Sequence, residues 1–202
     1  MMRRRLSALS RMALKVAGDC LGAQAKARVV FASRHGELRR TTDILGDIEA
    51  GKPVSPNAFS LSVLNAMSGL FGIVRGDRSA ATAISAGAET LGYALLEAHA
   101  QHADEPASPV LVVYADEPAD ARYGAIEQEV QRGAFALLLD VNEAQQGELA
   151  CSVTQRPRGA SAHERMFATQ SEALHHCLSG GESAAWEGSG GTWQWSWHVG
   201  AA

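Results

Sequence analysis

No run in this 202-residue chain approaches the ~20 consecutive apolar residues needed to cross a bilayer, so a spanning helix is excluded. Cysteine is scarce. Cys20, Cys151 and Cys177 share no short spacing and leave an odd thiol, which argues against a disulfide scaffold or a zinc ribbon and for a reducing, cytoplasmic setting. The phosphate loop G-x-x-x-x-G-K-S/T, the dinucleotide turn G-x-G-x-x-G, the hydrolase elbow G-x-S-x-G and the metalloprotease pair H-E-x-x-H are all missing. No nucleotide cofactor or metal is expected. Internal repeats are absent. What the chain does have is 46% hydrophobic and 20% charged residues, too apolar for disorder and long enough for one domain with a real core.

Charge is distributed unevenly. Residues 1–40 hold ten Lys/Arg against Asp19 and Glu37, and the remainder holds 8 basic against 20 acidic residues. Such a basic end suits nucleic acid, a transit peptide or an acidic partner. Nucleic acid is disfavoured because no aromatic residue lies among these cations before Phe31 to stack on bases. Met1–Lys15 is Arg-rich, acid-free and amphipathic, as an organellar presequence would be, but it leads into a strand without a linker.

Apolar spacing predicts an amphipathic helix over 6–22 (Leu6, Leu9, Ala13, Val16, Ala17, Cys20), then a short buried strand at Arg28–Ser33. A helix is expected over Leu38–Ala50 and another, rich in small residues, over Phe59–Val74. Ala80–Ser85 reads as a buried strand, Glu89–His102 as a packed helix, and Val110–Ala115 (VLVVYA) as the strongest strand of the chain. A helix is possible around Ala125–Val130. Ala134–Val141 and Glu148–Thr154 are expected to pair through a polar turn at Asn142–Gly147. Ser161–Leu178 reads as a helix and Gly180–Gly191 as a flexible Gly/Ser-rich linker. Thr192–Val199 alternates, with Trp193, Trp195 and Trp197 on one side. That side serves either an edge strand folded onto the core or an aromatic or sugar ligand. The order of elements implies a layered α/β domain.

Two constellations could carry chemistry. His175-His176-Cys177 has ligand-type residues, but neighbours on a helix diverge and cannot share one metal. His35 follows a strand beside Gly36 and Glu37, which could orient its imidazole, although no nucleophile accompanies it.

The most informative stretch is SVLNAMSGLFGIVRGDRSAATAISAG. Together with RRRLSALSRMALKVAGDC and VVFASRHGELRRTTDIL it resembles the thiolase-fold condensing enzymes, the β-ketoacyl synthases. Within them it is similar to a short subgroup, the chain length factors of aryl-polyene-type biosynthetic clusters. The resemblance covers roughly residues 3–140, and the tail WQWSWHV is also in keeping with it. It implies a thiolase-like half-fold, a layered mixed sheet with packed helices. Residues 1–178 would form a ketosynthase-like N-terminal domain, with 179–202 a linker and Trp-rich strand of the same domain. The subgroup carries a further segment upstream of RRRLS, so a later start or a lost element is expected here.

In an active synthase of this family, a cysteine at the turn between the buried strand and the buried helix takes the acyl chain. Histidines from the second half of the fold assist decarboxylation. Here the turn reads Ser85-Ala86-Gly87-Ala88-Glu89-Thr90, and the nucleophile position falls on Gly87, Ala88 or Glu89. No catalytic residue is expected. The resemblance instead implies a degenerate subunit that pairs with an active β-ketoacyl synthase across the AATAIS strand and shapes its acyl pocket. Phe59, Leu61, Leu64, Met67 and Phe71 then either line the pocket and interface or pack in the core. The basic N-terminal helix either faces an acidic acyl carrier protein or is a plain solvated surface. Two rivals remain: a malonyl-thioester decarboxylase using Glu89 or His35, and a stand-alone acyl-binding scaffold.

Overall fold

A computed structural model describes residues 6–22, 26–141, 147–154, 166–180 and 183–199, which form two compact units, Met1–Leu139 and Asp140–Ala202.

The first unit begins with α1 (Ala8–Leu21), whose N-cap Ser7 accepts the Ser10 amide at 2.9 Å. Strand β1 (Arg28–Ala32) follows, then α2 (Leu38–Glu49), α3 (Pro56–Ser60), α4 (Ala66–Arg75), β2 (Ala81–Ile84), α5 (Thr90–Asp104), β3 (Val110–Asp116), a 3-10 helix over Ala121–Glu129, and β4 (Gly133–Leu139). The sheet order is β2-β1-β3-β4. The first three strands are parallel, and β4 runs antiparallel to β3. This is the expected mixed sheet.

β3 is buried along its whole length, as a strand covered on both faces must be. Successive side chains point to opposite faces. Val29 and Phe31 of β1 and Leu111 and Val113 of β3 pack with Leu9, Ala13 and Ala17 of α1 and with Met67 and Phe71 of α4. The alternate residues, Val30 and Val112, are fully buried on the other side, where Leu91, Leu95 and Ala98 of α5 are also buried. Each such leucine contributes ~1.5–3 kcal/mol by leaving water.

Three expectations about this unit are corrected. The helix foreseen over Phe59–Val74 is two helices. Ser60 Oγ donates to the Asn57 carbonyl at 3.1 Å and Ser62 Oγ to that of Phe59 at 2.8 Å, local bonds that compete with helix continuation. β2, expected to be buried, is the edge strand of its sheet and half-exposed. The helix expected around Ala125–Val130 starts earlier and is 3-10 in type, over Ala121–Glu129 with a kink at Gly124, and a 2.6 Å bond between Tyr123 Oη and Thr42 Oγ1 pins it to α2. α4 stops at Gly76, whose left-handed φ of 65° suits glycine.

The second unit contains β5 (Glu148–Thr154), α6 (Gln170–Gly180), β6 (Ala184–Glu187) and β7 (Thr192–His198), with sheet order β5-β7-β6, all antiparallel. The hairpin expected between Ala134–Val141 and Glu148–Thr154 does not form. The first segment supplies β4 to β3 and the second pairs with β7, because apolar β4 completes the large sheet while β5 matches the Trp-bearing strand. Residues 142–146 of the expected turn, and 161–165 of the expected helix, lie outside the described residues.

The stretch read as a flexible linker holds β6. The tryptophan strand is central and not an edge. Trp193 and Trp195 are 1% exposed and stacked at 6.3 Å, with Trp186 opposite Trp193 in the register. Aromatic burial of this size supplies the unit's core. Gly147 leaves room for the Trp197 ring, since a Cβ there would lie 2.5 Å from it.

Candidate functional site

The loops that follow β1, β2 and β3 all leave the same, carboxyl edge of the parallel sheet, where open α/β sheets bind ligands. Sequence places a polar residue at the end of each strand: Ser33, Ser85 and Asp116. Asp116, fully buried, organises the edge. Its Oδ1 accepts from Ser33 Oγ at 3.0 Å and from the His35 amide at 3.1 Å, and its Oδ2 accepts from the Arg34 amide at 2.5 Å. Ser33 Oγ in turn accepts the Gly36 amide at 2.8 Å, and Ser85 Oγ donates to the Arg34 carbonyl at 2.9 Å. One carboxyl therefore fixes the β1–α2 loop, and that loop is tied to the turn after β2. Burial pushes the Asp116 carboxyl above the usual range, against the pull of these hydrogen bonds and of the nearby His35.

The turn after β2 feeds α5, whose N-terminal amides and macrodipole favour negative charge. Gly87 sits there at a left-handed φ of 64°, with no heavy atom within 4 Å of where a Cβ would be. Thr90 Oγ1 closes the turn on itself, accepting the Ala86 amide at 2.9 Å and donating to the Gly87 carbonyl at 2.7 Å. Glu89 is the N-cap residue of α5 but makes no side-chain capping bond to the helix.

A strand-to-helix turn of this kind suits an exposed nucleophile, yet no sulfur is present there. Cys20 lies on α1, Cys151 on β5 and Cys177 on α6. All three thiols are moved away from reactivity. Burial raises Cys20. It pushes Cys151 up to about 11 in spite of a hydrogen bond from Trp195, and it raises Cys177 in spite of the Trp197 backbone.

The remaining candidates separate. Met67 and Phe71 are 3% and 4% exposed and belong to the core, Leu64 packs partly against it beside Gly36, and Phe59 on α3 is 62% exposed. Leu61 is the half-buried C-cap of α3. His35 joins the Asp116 loop, with its Nε2 buried and unpartnered. His175, His176 and Cys177 are consecutive on α6, where His176 lies against Phe167 at 5.0 Å. Among the described residues no group of His, Cys, Asp or Glu could hold a metal, and no helix is long and apolar enough to span a membrane.

The basic N-terminal segment is also sorted. Arg28 is turned inward onto the carbonyls of Gln101, Glu105 and Ser108, and Arg40 and Lys15 face Glu37 and Asp19. Arg3, Arg4 and Arg5 lie outside the described residues.

Sequence reasoning missed Asp116 and Thr90. The available signal for Asp116 was a charged residue ending an otherwise apolar buried strand.

The family model described as Beta-ketoacyl synthase, N-terminal domain, matches residues 1–196. Among solved structures, the chain is similar to one in the complex of a ketosynthase (ApeO) with its chain length factor (ApeC) from Xenorhabdus doucetiae. The identity is 27% and the TM-score 0.79, covering 97% of this chain and 80% of that one. The ishigamide ketosynthase/chain length factor shares 18% identity at a TM-score of 0.55, over 74% of this chain and 49% of its own. A 3-oxoacyl-(acyl carrier protein) synthase III from Pseudomonas aeruginosa PAO1 shares 14% at 0.51, over 96% and 84%. The last two likenesses speak to fold alone. No curated protein matches the sequence.

Proposed function

The chain belongs to the β-ketoacyl synthase N-terminal domain family, and from that premise we propose that it is a non-catalytic, chain-length-determining subunit that pairs with an active β-ketoacyl synthase. The observation that carries this reading is the turn before α5. It has the geometry of a nucleophile elbow, but Gly87 occupies the left-handed position and open space stands where a side chain would project. We place the vacated acyl-accepting position at Gly87 in preference to Ala88 or Glu89. The chain's own thiols lie on other elements, half-buried at Cys20 and Cys151 and buried at Cys177, and burial raises each of them away from the reactive thiolate.

Pairing is assigned to the β2 edge. Ala81–Ile84 has one neighbour in its sheet, and Ile73 and Val74 on α4 with Tyr93 and Leu96 on α5 are exposed large apolar residues on the helices flanking it in sequence. A partner strand added there would continue the sheet. The solved complex of a ketosynthase with its chain length factor, matched over nearly the whole chain, supports a synthase as that partner. Within the pair, Phe59, Leu61 and Leu64 are the candidates to limit how long an acyl chain fits, while Met67 and Phe71 hold the core beneath them. Product class is assigned to fatty-acid-like or aryl-polyene-type chains, carried on an acyl carrier protein in the cytoplasm.

The test is co-expression with an active synthase from the same genome. The expected result is co-elution as one complex, and chain-length products that change when this subunit is replaced. A stable monomer that never co-elutes refutes the pairing. A second reading, decarboxylation of a malonyl thioester, is favoured by the buried, unpartnered Nε2 of His35. Carbon dioxide release by the purified chain at the rate of the complex would establish it in place of the first.

A further inference from the structure

We draw no further inference here: the strongest candidate, the exposed apolar patch formed by Leu45 and Ile48 of α2 with Phe59 of the adjoining α3, carries nothing beyond the proposal above because nothing in the structure shows what covers it.

Discussion

Ser10 Oγ on α1 donates to Glu37 Oε1 at 2.6 Å, joining the first helix to the entrance of α2 across 27 residues of sequence. The same oxygen accepts Ser7 Oγ at 2.5 Å, and Oε2 faces Arg40 Nε at 3.3 Å. Glu37 is buried, so removing it leaves polar groups with no water to replace it. Glu37→Ala is expected to lower the unfolding free energy by about 2–3 kcal/mol, and Glu37→Gln by less, because one acceptor oxygen survives. Urea denaturation of the purified chain measures both; equal stabilities across the three proteins would show that the junction contributes nothing.

Two aspartates are expected to give pH dependences of opposite sign. Asp116 is raised by burial in the folded state, so its contribution to stability is full at low pH and falls as pH rises from the ordinary carboxylate range through the folded value. For Asp77, burial pushes upward, but hydrogen bonds from Ser79 and the Ala27 amide, with Lys26 nearby, hold the carboxyl below its ordinary value. Its contribution is present above the ordinary range and is lost as pH falls through the folded value. Stability-against-pH curves for Asp116→Asn and Asp77→Asn, each subtracted from the parent curve, should slope in opposite directions. Parallel differences would contradict the assignment.

Arg28 clamps the far end of α5. Its guanidinium donates to the carbonyls of Gln101 at 2.7 Å, Glu105 at 2.9 Å and Ser108 at 2.8 Å. A cation at a helix C-terminus satisfies orphan carbonyls and complements the dipole. Arg28→Ala should cost roughly 2–4 kcal/mol of stability. Arg28→Lys should recover only part of this, since an ammonium lacks the planar fork that reaches several acceptors. Thermal melts of the two variants distinguish them, and full recovery by lysine would mean that charge alone matters.

The apolar residues of 59–71 should divide into two groups. Met67→Ala opens a cavity in the core and is expected to cost ~2–4 kcal/mol, whereas Phe59→Ala, at an exposed site, should change stability by less than ~0.5 kcal/mol. In the complex with a synthase, Phe59→Ala or Leu64→Ala should lengthen the products without dissociating the subunits. Unchanged product lengths from an intact complex would remove both residues from the pocket.

Gly87→Cys tests the proposed acyl-accepting position. The left-handed backbone makes the substitution cost about 1 kcal/mol, yet the side chain meets open space and the helix N-terminus should lower the thiol pKa. Alkylation of this thiol is expected to outpace that of Ala88→Cys and of the three native cysteines. Neither variant is expected to condense acyl chains by itself, since the proposed role of this subunit is non-catalytic. Slower alkylation at 87 than at 88 would relocate the position.

Legibility in the sequence followed the strength of local signals. VLVVYA, the Leu9–Ala13–Ala17 stripe and the α5 helix were readable because periodicity and burial agree there. The break between α3 and α4 was hidden by continuous apolar composition, since the serines that cause it act through hydroxyl bonds that no periodicity records. The partners of β4 and β5 were misassigned because adjacency in sequence suggested a hairpin, while pairing was decided by long-range matching to β3 and β7. That the turn before α5 holds no cysteine could be read directly; that Gly87, and not Ala88 or Glu89, takes the left-handed backbone angle there could not. Asp116 was overlooked because a lone acid after a strand has no partner until the fold supplies three donors.

The strand Ala81–Ile84 carries neither lysine nor proline to discourage another chain from adding to it. An edge strand left uncovered in this way is prone to pair with a second copy of the chain. On the proposed pairing, heterologous hosts are expected to yield more dispersed material when the partner synthase is made at the same time.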